Sequence, residues 1–305
     1  MKEKFIFLFW SKSKNNNNFG DELSYYIVNK LTSVKVYSIY PTCSNPSSNF
    51  LKKSISFMRI CLKNGIKDTI KFLYRRNKDH ILGLGSIINR SNEYSIVWGS
   101  GIISRNDKIC PKSRFLVVRG KYTQNRLRDL GISSPEYIGD PGILISKIYN
   151  TKKTNNFMVG IIPHKIEFDL FNNLMLNDKL KVINLNSAEV EETINDICSC
   201  EYVISSSLHG IITAHSYGIP ALWVSFGRKL SGDNIKFLDY FSSVNLDISS
   251  PLLIEPSSYS SKFFMELVNN GNFVCPKKEV MDSIAHDLIQ NFPYQKAIRK
   301  EYFLI

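Results

Sequence analysis

Histidine, serine, arginine and acidic side chains gather just after short apolar runs in this 305-residue chain, and their grouping suits the handling of a small anion. The sharpest group is Ser205-Ser206-Ser207-Leu208-His209-Gly210. An apolar run, Tyr202–Ser205, reads as a strand that passes through hydroxyls into a helix expected over His209–Tyr217. A helix start offers free N–H groups and the positive end of the helix dipole, which together attract anions. Histidine titrates near neutrality, so His209 is able to donate a proton or pair with a phosphate. Ser206, Ser207 and Gly210 are candidate substrate contacts beside it. His164 follows another apolar run, Phe157–Ile162, and is expected to face the same cleft, whereas His215 on the later turn of the helix reads as packing.

Four other segments share this layout. Val117-Val118-Arg119-Gly120 ends a buried run on a guanidinium, a planar fork that fits a carboxylate or phosphate; an interdomain salt bridge is the alternative use. Gly83-Leu84-Gly85-Ser86 and Gly99-Ser100-Gly101 place small residues where backbone and ligand approach closely, which makes Gly85, Ser86 and Ser100 candidate contacts. The third glycine of a dinucleotide fingerprint is replaced by Ile88, so NAD is weakly supported. Asn18-Phe19-Gly20-Asp21 opens an expected helix, with Gly20 a candidate contact and Asp21 either a helix cap or a base toward a hydroxyl. Lys236 and Asp239 stand one helical turn apart, either as a surface ion pair or with Lys236 adding positive charge to the cleft.

Strand and helix patterns alternate from end to end, which predicts parallel sheets with crossover helices. Strands are expected at Phe5–Trp10, Val34–Ile39, His80–Gly83, Ser95–Trp98, Phe115–Val118 and Glu136–Ile138, then at Phe157–Ile162, Val182–Leu185, Tyr202–Ser205 and Ala221–Val224. Helices are expected at Asp21–Leu31, Ser54–Tyr74, Tyr122–Leu130, Phe168–Leu176, Ala188–Cys198, His209–Tyr217, Asp233–Phe241, Ser258–Val268 and Lys277–Gln290. Ligands of open α/β sheets bind at the carboxyl ends of the strands, where every candidate residue above falls. The polar segment Lys147–Asn156 is read as a linker between two Rossmann-like α/β domains, 1–150 and 157–290, with 291–305 as a tail that packs back on the first.

Six cysteines at 43, 61, 110, 198, 200 and 275 lack the paired spacing of a zinc site or a disulfide framework, and Cys198-x-Cys200 reads as buried thiols in a reducing compartment. The run Phe5–Trp10 is too short for a signal-peptide core, and nothing approaches the roughly 18 apolar residues of a membrane span. The net charge of +12 favours an anionic partner. Part of it lies in Ser54–Tyr74, where Arg59, Lys63, Lys67, Lys71 and Arg75 follow one another at every fourth position beside an apolar stripe. That helix is able to dock on an acidic membrane or to serve as a solvated crossover. Aromatic residues are not interleaved with the charges as a stacking groove would need, which argues against nucleic acid.

Taken in order, these segments resemble the polysaccharide pyruvyl transferase family. The resemblance rests on Asn18-Phe19-Gly20-Asp21, Gly83-x-Gly85-Ser86, Gly99-Ser100-Gly101, Val118-Arg119 and Asp140-Pro141, then on Ile161-Ile162-Pro163-His164, Ser206-Ser207-Leu208-His209-Gly210 with Ala214, Gly218 and Pro220, and Lys236-Phe237-x-Asp239-Tyr240. It implies a GT-B-like architecture with the active site between the domains, acceptor side first and donor side second. It also implies transfer of pyruvate from phosphoenolpyruvate, commonly as a cyclic ketal, to sugars of a bacterial surface polysaccharide or its lipid-linked precursor. By the family pattern Arg119 and His209 map to the donor site, with Lys236 a further candidate.

In the chemistry expected from this resemblance, His209 protonates C3 of the donor and Asp21 serves the acceptor hydroxyl as base, without metal or cofactor. The protein is then cytoplasmic, with docking on the inner face of the plasma membrane as a further expectation. A nucleotide-sugar-dependent GT-B glycosyltransferase would share the fold and release a nucleotide instead of phosphate. A non-catalytic binder of acidic membrane or nucleic acid would rest on charge alone.

Overall fold

A computed structural model describes residues 5–10, 18–39, 78–172, 174, 177–187, 189–228 and 230–303. The predicted basic helix Ser54–Tyr74 lies outside the described residues. The apolar runs form two parallel sheets, whose central strands are apolar on both faces because helices cover both sides. The first sheet contains β1 (Phe5–Phe9), β2 (Lys35–Ser38), β3 (His80–Leu82), β4 (Ser95–Trp98), β5 (Arg114–Val118) and β6 (Tyr137–Ile138), in the order β2-β1-β3-β4-β5-β6. The second contains β7 (Phe157–Ile162), β8 (Leu180–Val182), β9 (Cys200–Ser205), β10 (Ala221–Ser225) and β11 (Leu252–Leu253), in the order β11-β10-β9-β7-β8.

Counted from its own first strand, each sheet follows the order 2-1-3-4-5, with the sixth strand of the first sheet added at the far edge. The chain therefore reverses direction between β1 and β3 in one sheet and between β7 and β9 in the other. Such reversal points leave a crevice at the carboxyl ends of the strands, since the crossovers on either side lead away from each other.

Helices α1 (Phe19–Leu31), α2 (Lys121–Asp129), α3 (Ile145–Ile148), α4 (Val190–Cys198), α5 (Leu208–Ser216), α6 (Ile235–Ser243), α7 (Ser261–Asn270) and α8 (Lys278–Gln290) accompany the sheets. Three expectations shift, and one strand was not foreseen. Residues Phe168–Phe171 make a single 3-10 turn where a longer helix was expected, and β8 begins two residues early and stops at Val182. The start of the expected linker is taken by α3, and Thr151 is held to Asn195 of α4 by a 2.8 Å hydrogen bond. The edge strand β11 has only two residues, too few for an alternating pattern to show.

One apolar cluster runs without a break from Ile6 and Leu8 of β1 through Trp98, Ile212, Tyr240 and Leu288 to Ile298. The last helix crosses back onto the first sheet. A Cβ on Gly139 would lie 2.3 Å from the Ile284 side chain of α8, and Trp98 donates its indole N–H to the Leu288 carbonyl at 2.8 Å. Beyond α8, Ile298 bridges to Thr32, and the Arg299 amide donates to Leu31 at 3.0 Å.

A second tie between the halves is polar. Arg119, at the end of β5, is fully buried, and its Nε donates to Asp239 Oδ2 of α6 at 3.0 Å. Asp239, equally buried, also accepts the Thr123 amide at 2.9 Å and the Thr123 hydroxyl at 2.6 Å. Removing one partner of a buried pair leaves an uncompensated charge, which costs about 3–5 kcal/mol. Arg119→Met is therefore expected to lower unfolding free energy by about that amount, and Lys236→Met, at a partly exposed cation, by less than about 1 kcal/mol. Denaturant titration of the two variants at pH 7 measures the contrast.

Candidate functional site

The two reversal points face each other. Helix α1 leaves the first sheet, and its cap is Asn18, whose Oδ1 accepts the Gly20 amide at 3.3 Å. Asn18 also donates its amide to Asp21 Oδ2 at 2.9 Å, so Asp21 is oriented by the cap and is not the cap itself. Burial raises the Asp21 carboxyl above its ordinary range, which makes its ionised form a stronger base. The Phe19 amide donates to the Leu185 carbonyl beyond β8 at 2.9 Å, which fixes this helix start against the second sheet.

Helix α5 leaves the second sheet opposite. Its cap residue, Ser207, makes no side-chain capping bond, so the first-turn amides depend on another acceptor. Gly210 meets the sheet rather than the cleft: a Cβ there would come within 2.8 Å of Ser205 Oγ and 2.9 Å of Ile162. Its small size thus serves packing on the sheet, while its amide remains among the first-turn donors of α5. His209 lies directly over Gly20. A Cβ on Gly20 would fall 2.1 Å from His209 Nδ1, so the imidazole occupies the volume that any other residue at 20 would fill. Gly20 thus serves by lacking a side chain.

His209 Nε2 is buried without a hydrogen-bond partner among the described residues. Burial first, then the charges of Lys236, Arg119 and His164, push the imidazole down to about 3, so it is neutral at pH 7. An imidazole with that value is no proton donor until an anion offsets the surrounding positive charge. His164 shares this condition, pushed down to about 4 by burial, Lys236 and Lys165. Its own amide donates to Ser206 Oγ at 2.8 Å, and Ser206 is fully buried, so that hydroxyl braces the loop instead of meeting ligand.

Lys236 projects from the first turn of α6, with its Nζ 5.3 Å from the Phe237 ring centroid. Burial, with the charge of Arg119 next, pulls it down to about 8. Asp239, expected as its partner one turn away, is instead committed to Arg119 and Thr123. Among the described residues Lys236 has no carboxylate within ion-pair distance, which leaves its charge for something else.

Arg119 departs from the anion-binding fork in the same way. Its Nη1 donates to Ser86 Oγ and its Nη2 to the Ile102 carbonyl, each at 2.6 Å, while Nε holds Asp239. The guanidinium lies against Gly101, where a Cβ would sit 2.5 Å from its Cζ. Arg119 contributes positive potential and anchors α6, and is closed off from direct contact. Ser100 is also buried: its hydroxyl donates to the Gly85 carbonyl at 2.9 Å and accepts the Ile87 amide at 3.3 Å, stitching the two glycine loops together. Gly85 takes φ +111°, a conformation that favours glycine, so it shapes the loop. Ser86 remains at the partly exposed rim.

The Cys198 and Cys200 thiols are buried and pushed up to about 12 and about 11 by that burial. His215 is likewise internal, its two nitrogens 3.0 Å from the Tyr240 hydroxyl and the Val274 carbonyl. Among the described residues no cluster of three His, Cys, Asp or Glu side chains is placed to hold a metal ion, and no helix is long and apolar enough to cross a membrane.

Two residues with a part in this region were not singled out in the sequence. Thr123 completes the Asp239 cage, and Glu167 lies buried under the His164 loop. Thr123 lies within the expected helix Tyr122–Leu130 and Glu167 in a loop, and neither carries a signal because a threonine in a helix or a glutamate in a loop ordinarily faces water.

Two comparisons bear on the family of this chain. The family model described as polysaccharide pyruvyl transferase matches residues 18–227. A relative, uncharacterized protein L143 of Acanthamoeba polyphaga mimivirus, is 36% identical over 176 residues, or 55% of this chain and 61% of the relative. The matched part thus spans less than two thirds of that protein. The family match runs from the Asn18 cap, through both glycine loops and Arg119, past the His209 helix to Gly227, and on that basis the chain belongs to the polysaccharide pyruvyl transferase family.

Proposed function

We propose that the protein transfers pyruvate from phosphoenolpyruvate to a pair of hydroxyls on a saccharide, forming a ketal on a surface polysaccharide or its lipid-linked precursor. The observation that carries this reading is the set of unanswered cation and donor groups at one helix start: the uncapped α5, the unpaired His209 Nε2 and Lys236 without a carboxylate. A phosphate beside a carboxylate answers all three, whereas a neutral sugar offers hydrogen bonds but no charge to set against Lys236. The reading keeps the division at about residue 150, with the first unit on the acceptor side and the second on the donor side of a GT-B-like cleft. The enzyme then works in the cytoplasm, where phosphoenolpyruvate is made.

The roles follow from the electrostatics. Lys236 and the α5 amides bind the donor's anionic groups. The bound anion raises the His209 imidazole from its depressed value, and the resulting imidazolium delivers a proton to C3 of the enol. C2 becomes electrophilic and is attacked by the first acceptor hydroxyl, whose proton passes to Asp21. The C2–O bond to phosphate then breaks, and the second hydroxyl closes the ketal; its proton leaves with the phosphate. Arg119 acts on this chemistry through Asp239, which fixes α6 and with it Lys236.

Incubation of the protein with phosphoenolpyruvate and candidate saccharide acceptors, with phosphate release followed, is the direct test. Release that depends on acceptor supports the reading; none across acceptors, or nucleotide release from a nucleotide sugar instead, overturns it. His209→Ala and Gly20→Ala are each expected to lower kcat/KM at least tenfold, about 1.4 kcal/mol of transition-state stabilisation. The Gly20 variant loses activity because its methyl group evicts the imidazole.

The pH dependence has a defined sign. Donor binding raises the pKa of Lys236 above its free value of about 8, so donor affinity is retained below pH 8 and falls as pH rises beyond it. Lys236→Gln removes this alkaline limb as well as weakening binding. Measuring donor KM from pH 6.5 to 9.5 in both proteins reads the difference.

A further inference from the structure

Glu167 has no part in the chemistry assigned above. It follows β7 in the loop Pro163-His164-Lys165-Ile166-Glu167, yet it is fully buried. Its Oε2 accepts the Ser206 hydroxyl at 2.5 Å, and its Oε1 is buried with no hydrogen-bond partner among the described residues. Burial accordingly raises the carboxyl above its ordinary range, drawn back first by the Ser206 bond and then by the nearby backbone groups of His164, Arg228 and Phe226, which are too far or too poorly aligned to complete a hydrogen bond to Oε1. A buried carboxylate whose one full hydrogen bond comes from a side chain is costly, so that side chain shows what it orders.

Ser206 has one hydroxyl proton, and Glu167 takes it. The hydroxyl oxygen then presents its lone pairs to the His164 amide at 2.8 Å. The turn is closed by the Glu167 amide, which donates to the His164 carbonyl at 2.7 Å, while the Ser206 amide donates to Ile162 at 3.2 Å. Ser206 immediately precedes the cap of α5, two residues before the helix begins at Leu208 and three before His209. A single carboxylate thereby orients a hydroxyl shared by the two segments that carry the site's imidazoles.

We propose that Glu167 is a positioning residue of this site: through the Ser206 hydroxyl it fixes the His164 loop and the entry to α5 that carries His209. Its effect on turnover rests on the pyruvyl-transfer reading; its effect on the imidazoles does not.

The test uses the full chain labelled with 15N-histidine, with imidazole resonances recorded alongside phosphate release from phosphoenolpyruvate. His215, whose ring is held by Tyr240 and Val274, is the internal reference. Glu167→Ala is expected to move the His164 and His209 resonances, leave His215 in place and lower kcat/KM at least tenfold. Glu167→Gln keeps an oxygen that accepts the Ser206 proton, so it is expected to hold both resonances near their original positions and stay within about threefold of the unaltered enzyme. Ser206→Ala should reproduce Glu167→Ala, and the double variant should lose no more than either single one. If Glu167→Ala does not fold, Ser206→Ala and Glu167→Gln carry the same comparison. Unmoved imidazole resonances in Glu167→Ala or Ser206→Ala would overturn the proposal, as would a Gln variant as damaged as the Ala variant. Absence of phosphate release from the unaltered protein would sink the functional reading, while the resonances would still decide the role of Glu167.

Discussion

The pairing of Arg119 with Asp239 is the constraint around which this region is arranged. Both side chains are removed from water, and both spend their strongest hydrogen bonds inside the protein. Two charges in such a place are stable only together. Because one belongs to the end of β5 and the other to α6, the pair locks an element of the first sheet's surroundings to an element of the second's. It also decides what Lys236 is free to do. With Asp239 occupied, the lysine has no carboxylate at ion-pair distance among the described residues, only the more distant charge of Glu167, and positive potential accumulates where the two histidines stand.

The paired sheet orders explain why so many distant segments meet. Each sheet reverses direction beside its first strand, and each reversal leaves its loops at the same end as its catalytic candidates. The Asn18 cap and the Gly83–Ser86 loop come from one reversal, with the Gly99–Gly101 loop after the neighbouring strand, and the His164 loop and His209 helix come from the other. They meet where the imidazole of His209 lies over the bare backbone of Gly20.

Much of this was legible in the sequence because buried parallel strands are uninterrupted apolar runs. Phe157–Ile162 is a strand from its first residue to its last as expected, and the loops after the strands were found by that same signal. The roles of individual side chains were less legible, since type and spacing do not reveal depth. Arg119, Ser100 and Gly210 have the chemistry of ligand contacts and sit under the surface, stabilising loops and helix packing. Lys236 and Asp239 have helical ion-pair spacing, but a competing guanidinium from another element took the aspartate. Glu167 gave no signal, because nothing in a loop sequence marks a glutamate for the interior.

The return of the chain's end to the first sheet has a consequence for biogenesis. The Arg299 side chain bonds the Thr32 carbonyl across 267 positions, and Trp98 waits for the carbonyl of Leu288. During synthesis the first sheet is therefore made long before its covering helix leaves the ribosome. Contacts so far apart in sequence slow folding and prolong the exposure of apolar surface. The apolar surface that α8 covers stays open until that helix has been made, and loss of α8 would leave it uncovered.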